Sequence, residues 1–98
     1  MEFTSPSKHG FTVYSKSGCP NCLTIKKQLK DKHFLLTKIN CDEYLLEDKE
    51  EFLLFIERIA KVSCKTFPMI FYESKFIGGA KECNQFIDSL LLSFDCNF

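Results

Sequence analysis

From residue 11 the chain changes from a polar lead (residues 1–9) to alternating character. Phe11 and Val13, flanked by Thr12 and Tyr14, predict a first strand. The next stretch, SKSGCPNC, is rich in turn formers, and its Pro20 suits the first turn of a helix, where a missing N–H costs nothing. Apolar positions then fall at Cys22, Ile25 and Leu29, spaced by three and four, with the lysines mostly off that line. That spacing predicts an amphipathic helix to about Lys32. FLLTKINC, from Phe34 to Cys41, reads as a second strand. Leu45, Phe52, Phe55, Ile56 and Ile59 recur at helical spacing, which predicts a second helix over 42–62. Thr66-Phe67-Pro68 opens a third strand, Met69 to Tyr72. Glu73-Ser74-Lys75 forms a tight turn, Phe76-Ile77 a short fourth strand, and Gly78-Gly79 its end. Residues 81–94 form the last helix, with Phe86, Ile87, Leu90, Leu91 and Phe94 facing inward, before a tail at 95–98.

The order βαβαββα predicts parallel pairing where helices separate strands, and an antiparallel edge from the late hairpin. The expected architecture is a three-layer α/β/α domain around a four-stranded mixed sheet. Composition fits one such domain. The chain has 98 residues, 45% of them hydrophobic, with eleven Phe and three Tyr. That supports one packed core, and it excludes intrinsic disorder, a collagen-like repeat and a large multi-site enzyme. No run of apolar residues is long enough for a membrane span, and MEFTSPSKHG lacks the apolar centre of a secretory signal. A cytoplasmic monomer is the expectation.

Charge changes this picture only in its distribution. The net charge is zero, yet residues 1–40 carry seven Lys against two acids, and residues 41–60 carry seven acids against Lys49 and Arg58. A neutral total argues against nucleic-acid binding. A basic first half suits a small anionic ligand, although most of these lysines read as a solvated helix face.

Chemistry concentrates at Cys19-Pro20-Asn21-Cys22, where a strand ends and a helix begins. A thiolate there faces free backbone N–H groups and the positive end of the helix dipole, which together lower a thiol pKa. Lys16 adds a positive charge nearby. Cys19 leads the helix and is expected to be exposed, and Cys22, one turn in, to be more buried. Cys19 is therefore the attacking thiol and Cys22 the resolving one. The competing use of such a pair is a zinc site. A zinc ribbon needs a second close pair, and Cys41, Cys64, Cys83 and Cys96 supply none.

Three blocks in register carry a resemblance to the glutaredoxin family of the thioredoxin fold. Tyr14-Ser15-Lys16-Ser17-Gly18-Cys19-Pro20-Asn21-Cys22 looks like the family's Y-S-K-x-x-C-P-x-C, Thr66-Phe67-Pro68 is similar to its T-V-P, and Gly78-Gly79-Ala80-Lys81-Glu82 to its G-G-x-x-D. The resemblance spans about residues 10–94. It implies a dithiol oxidoreductase that uses glutathione as co-substrate and acts on glutathionylated or disulfide-containing proteins, with no metal. It also implies a role for each block. Lys16 and Lys65 would pair with the glycyl carboxylate of glutathione. Phe67 would offer its backbone N–H and C=O to the cysteinyl part, beside a cis Pro68. Gly79 would allow close backbone approach, and Lys81 and Glu82, at the start of the last helix, would hold the γ-glutamyl end.

The sequence departs from the family pattern at three positions. Asn21 stands where an aromatic is usual, Phe67 replaces Val, and Glu82 replaces Asp. These changes predict weaker glutathione binding than the family norm. Two alternatives follow from the same resemblance. One is an iron–sulfur cluster bridged through Cys19 and glutathione, against which Pro20 argues, because cluster-binding members usually lack it. The other is a partner-specific redoxin that does not use glutathione. Of the remaining thiols, Cys41 reads as a small core residue. Cys64 and Cys83 lie near the glutathione blocks in sequence and are either inert or regulatory, and Cys96 lies in the tail. His9 and His33 read as a tail residue and a helix-end residue, not as ligands.

Overall fold

The computed structural model describes residues 2–95. The expectations for the Phe94 side chain and for Cys96 lie outside the described residues. The elements are β1 (Phe11–Ser15), α1 (Pro20–Asp31), β2 (Leu36–Asn40), α2 (Asp42–Ala60), β3 (Met69–Tyr72), β4 (Lys75–Gly78) and α3 (Ala80–Asp95). The strands lie in the order β2-β1-β3-β4. β1 pairs parallel with β2 and antiparallel with β3, and β4 returns antiparallel along β3. The mixed sheet and the element order agree with the sequence pattern.

Because β1 is central, all five of its residues are buried and its side chains feed both faces. On one face Tyr14, Ile39, Met69 and Phe71 pack with Phe52, Phe55 and Ile56 of α2. On the other, Phe11, Val13 and Ile70 pack with Ile25 and Leu29 of α1 and with Cys83 and Ile87 of α3. This is the expected three-layer arrangement. Its α1 stripe is the Cys22, Ile25, Leu29 line that the spacing predicts.

Element boundaries move where backbone hydrogen bonds decide them. The second strand begins at Leu36 and not at Phe34, because the chain leaves α1 through a left-handed His33 and the Phe34 N–H closes back on the Leu29 carbonyl at 3.1 Å. α2 ends at Ala60, where Lys61 turns left-handed. Within α2, Asp48 leaves helical dihedrals (φ −155°, ψ 64°). The short piece before it carries Asp42, and the longer piece after it carries the buried Phe52, Phe55 and Ile56. The late turn is tighter than the sequence suggests. Tyr72 pairs with Lys75, so only Glu73 and Ser74 connect the strands, both at positive φ.

The polar lead is better anchored than its composition implies. Phe3 meets Tyr44, Phe52 and Phe55 with ring centroids 5.0, 5.5 and 5.3 Å apart. The Tyr14 hydroxyl donates to the Thr4 carbonyl at 2.7 Å. One aromatic residue in a polar run thus closes the edge of the α2-side core. Among the described residues, no helix is long and apolar enough to cross a membrane.

Candidate functional site

Cys19 occupies the N-cap of α1. Its backbone is extended, and its sulfur accepts a hydrogen bond from the Cys22 N–H at 3.1 Å. Pro20 follows at the first helical position, where it removes a donor that the helix does not use. The two cysteines are joined as a disulfide, with Cα atoms 5.2 Å apart. Cys19 keeps 7% of its surface exposed and Cys22 only 1%. The order matches expectation, but the expected open exposure of Cys19 does not hold. In the disulfide its sulfur folds back over the first helical turn. The exposed rim around it is Lys16, Ser17, Gly18, Pro20 and Asn21.

The sheet brings the other two blocks to this end of β1. Tyr14 is paired with Met69 across the antiparallel ladder, so the residues just after β1 lie beside those just before β3. The Phe67–Pro68 peptide is cis, as expected, and Pro68 is buried. On the far side, Ile70 pairs with Gly78. A side chain on Gly79 would come within 3.8 Å of the Pro68 carbonyl oxygen. The topology therefore gathers the ends of β1 and β4 and the start of β3 around one helix N-terminus.

Lys16 is exposed, with its ammonium 5.6 Å from the centroid of the Phe67 ring. The same ring lies nearly parallel (4°) to that of Phe52, with centroids 6.3 Å apart. Phe67 therefore has both a core ring and an exposed cation as neighbours. Lys65 is exposed in the same loop, two residues before Phe67. Lys81 is exposed in the first turn of α3.

Glu82 is engaged differently from expectation. Its Oε1 accepts the Gly79 N–H at 2.9 Å, the reach-back of a capping box from the third helical residue to the N-cap. Gly78, at φ 132°, is the glycine that this contact requires, because any Cβ there would lie 2.8 Å from the Glu82 side chain. Part of the capacity of Glu82 is therefore spent on the protein's own backbone.

The structure adds Asp42, which no motif in the sequence points to, as the partner of Ser17. The Ser17 N–H donates to Asp42 Oδ1 at 2.8 Å, and the Ser17 hydroxyl donates to Oδ2. The Asp42 N–H in turn donates to Asn40 Oδ1 at 2.9 Å. Hydrogen bonding from Ser17, hydroxyl first and then amide, holds the Asp42 carboxyl below the usual carboxylate range, and Lys16 adds a small pull in the same direction. This clamp fixes the loop between β1 and Cys19. The signal that would have revealed it is the parallel register, not a motif.

The remaining described thiols separate by burial. Cys41 and Cys83 are buried, and burial pushes each thiol up to about 12. Cys83 packs in the core between α3 and the sheet, which fits the inert reading. Cys64 is half-buried, with its sulfur 3.6 Å from the Thr66 carbonyl. Among the described residues no group of three or more His, Cys, Asp or Glu is placed to hold a metal ion.

A disulfide at the head of the helix that follows the central strand, with a cis-proline loop alongside, defines a thioredoxin-like dithiol fold. Within that class the chain belongs to the glutaredoxin family, whose model matches residues 11–77. Glutaredoxin 1 of Rickettsia conorii is 30% identical over 71 residues, covering 72% of this chain and 65% of the relative. The chain thus matches just under two thirds of that relative's length. Among solved structures, glutaredoxin 1 from Francisella tularensis complexed with cacodylate superposes with a TM-score of 0.72 at 23% identity, over 83% of this chain and 94% of the other. A buckwheat glutaredoxin–glutathione complex superposes with a TM-score of 0.65 at 21% identity, over 85% and 73%. At these identities the structural matches speak for the fold.

Proposed function

We propose that this chain is a dithiol glutaredoxin, a glutathione-dependent thiol–disulfide oxidoreductase. The observation that carries the reading is the position of the Cys19 sulfur. It caps α1 and accepts the Cys22 N–H at 3.1 Å, so a negative charge on that sulfur meets a donor already in place.

With a glutathionylated protein, the Cys19 thiolate attacks the glutathione sulfur. The protein–glutathione S–S bond breaks, the protein thiolate leaves and takes a proton, and Cys19 carries the glutathione. A second glutathione thiolate then attacks that glutathione sulfur. Glutathione disulfide leaves, and the Cys19 thiolate is restored. With a protein disulfide, Cys19 forms the mixed disulfide and the Cys22 thiolate attacks the Cys19 sulfur. This releases the reduced protein and leaves the Cys19–Cys22 disulfide, which two glutathione molecules reduce.

In this reading glutathione lies across the exposed rim. Lys16 and Lys65 take its glycyl carboxylate. Phe67, before cis Pro68, pairs with its cysteinyl backbone, and Gly79, Lys81 and the N-terminus of α3 take the γ-glutamyl end. Support comes from the convergence of the three blocks and from the buckwheat relative, which is described as a glutathione complex. Because Glu82 already accepts the Gly79 N–H, its hold on the γ-glutamyl ammonium is divided.

The test is glutathione-dependent reduction of a glutathionylated peptide, coupled to glutathione reductase and NADPH. Activity should vanish in Cys19→Ser and survive in Cys22→Ser. An inactive wild type would overturn the reading and favour a redoxin that does not use glutathione.

A further inference from the structure

Three lysines lie on one side of α1. Lys26, Lys27 and Lys30 project from the helix, and Lys38 stands on β2, the edge strand beside it. Together with Leu23 and Leu36 these four lysines line a groove of about 340 Å³ between helix and sheet edge. No acidic side chain lines it. Four like charges around one groove repel one another, and only Lys26 among them has a side-chain hydrogen-bond partner among the described residues, the Ser15 hydroxyl. A lysine on an edge strand guards against strand-to-strand aggregation, which accounts for Lys38 alone. It does not account for Leu23, 68% exposed in the lining of this groove, or for Leu35, 63% exposed just before β2.

The groove also adjoins the disulfide. Leu23 directly follows Cys22, and its N–H closes on the Cys19 carbonyl at 3.3 Å. Lys26 donates to the Ser15 hydroxyl at 3.3 Å, at the end of the strand that leads into the Cys19 loop. β2 flanks β1 on the edge opposite β3 and β4, so the groove lies away from Phe67 and Gly79, the side assigned to glutathione.

We propose that the groove between α1 and β2 docks an acidic, leucine-bearing segment of the substrate protein. The inference rests on the disulfide-reductase reading and adds a substrate class to it: proteins whose reactive thiol is flanked by Asp or Glu together with an apolar residue. Complementary charge accelerates encounter, and the leucines supply the desolvated anchor. The apolar floor favours a polypeptide over a nucleic acid, which offers no aliphatic side chains and would find no exposed aromatic here to stack on. A concave groove favours a chain segment over a flat lipid surface.

The experiment measures binding of a fluorescein-labelled, cysteine-free peptide of Glu, Asp, Ser and two Leu to the oxidised protein at low salt. Saturable binding should weaken roughly tenfold in the double variant Lys27→Glu, Lys38→Glu. It should weaken again when Leu23 is replaced by Ser, and when the peptide leucines are replaced by Ser. The double variant should gain binding to a version of the peptide with Lys in place of Glu and Asp, which an unfolded chain would not do. Turnover of a small neutral glutathionylated peptide by the double variant should match wild type. Unchanged binding in the double variant overturns the inference. So does equal binding of the leucine-free peptide, of an oligonucleotide of matched charge, or of anionic vesicles. A wild type that turns over the neutral substrate but does not bind the acidic peptide overturns the inference alone. Intact binding with a wild type that turns nothing over overturns the reductase reading and leaves the docking surface standing.

Discussion

Ser17 and Asp42 meet because each lies two residues beyond a paired strand end. Ser15 of β1 is in register with Asn40 of β2, and the chains leave the sheet side by side. Two donors from Ser17 then converge on one carboxylate, which fixes the loop that delivers Cys19 to the head of α1.

Removing that carboxylate should loosen the loop while leaving Cys19 and Cys22 chemically intact. We expect Asp42→Ala to lower kcat/KM for a glutathionylated peptide roughly tenfold, by misplacing the nucleophile. Asp42→Asn, which keeps an acceptor for the Ser17 N–H, should lose less. The pH dependence has a definite sign. Hydrogen bonds from Ser17 depress the Asp42 pKa below its ordinary 3.8. The clamp is therefore complete above that value and is lost as pH falls through the lower, folded-state one. Hydrogen exchange at the Ser17 amide should show protection that persists below pH 3.8 in wild type and is absent in Asp42→Ala.

Phe67 departs from the valine that is usual in the family, and the structure gives that ring two partners, Phe52 and Lys16. A valine cannot hold the ammonium over a π face. Against the sequence expectation that Phe67 weakens binding, Phe67→Val should raise the KM for glutathione by freeing Lys16. A double-mutant cycle with Lys16→Ala, measured on glutathione binding, should give a coupling of about 0.5–1 kcal/mol, as expected for an exposed cation–π contact. A cycle that closes at zero would show that Lys16 and Phe67 act separately.

Glu82 has two assigned tasks, and substitution separates them. As the capping-box residue it should contribute about 0.5–1.5 kcal/mol to stability, seen as that loss in urea unfolding of Glu82→Ala. Glu82→Gln keeps a carbonyl oxygen for the Gly79 N–H and should unfold like wild type. If the carboxylate also holds the γ-glutamyl ammonium, Glu82→Gln should still raise the KM for glutathione. An unchanged KM would confine Glu82 to the cap.

The contrast between Glu82 and Asp42 shows what the sequence could and could not disclose. Strand alternation and the Cys22–Ile25–Leu29 spacing were legible because burial imposes a period on side chains. The Cys pair and the Phe67–Pro68 and Gly78–Gly79 blocks were legible as motifs. The capping contact of Glu82 was half legible: an acid in the first turn of a helix is a known pattern, but its partner, the Gly79 N–H, is set only where the chain turns at Gly78. Asp42 was not legible, because its partner is 25 residues away and only the register of two parallel strands brings them together. Phe3 was hidden for a related reason. A lone aromatic in a polar run has no periodicity, and its contacts with Tyr44, Phe52 and Phe55 exist only after α2 has packed.

The buried thiols give a last expectation in which chemistry and stability move together. Cys41 and Cys83 have no exposed surface, and desolvation pushes both up to about 12 from an ordinary value of 9.0. At pH 8 both are protonated and shielded, so iodoacetamide should label reduced Cys19 while Cys41 and Cys83 react about a hundredfold more slowly, at the rate at which the fold opens. Peptide mapping of the alkylated protein, with and without denaturant, distinguishes them. The linkage runs toward alkali. The unfolded chain ionises these thiols from about pH 9 and the folded chain does not, so their contribution to stability is full below pH 9 and declines as pH rises toward 12. Cys41→Ala and Cys83→Ala should each flatten that alkaline decline. They should also lower stability at neutral pH, because each vacates packed volume in one of the two cores that flank β1.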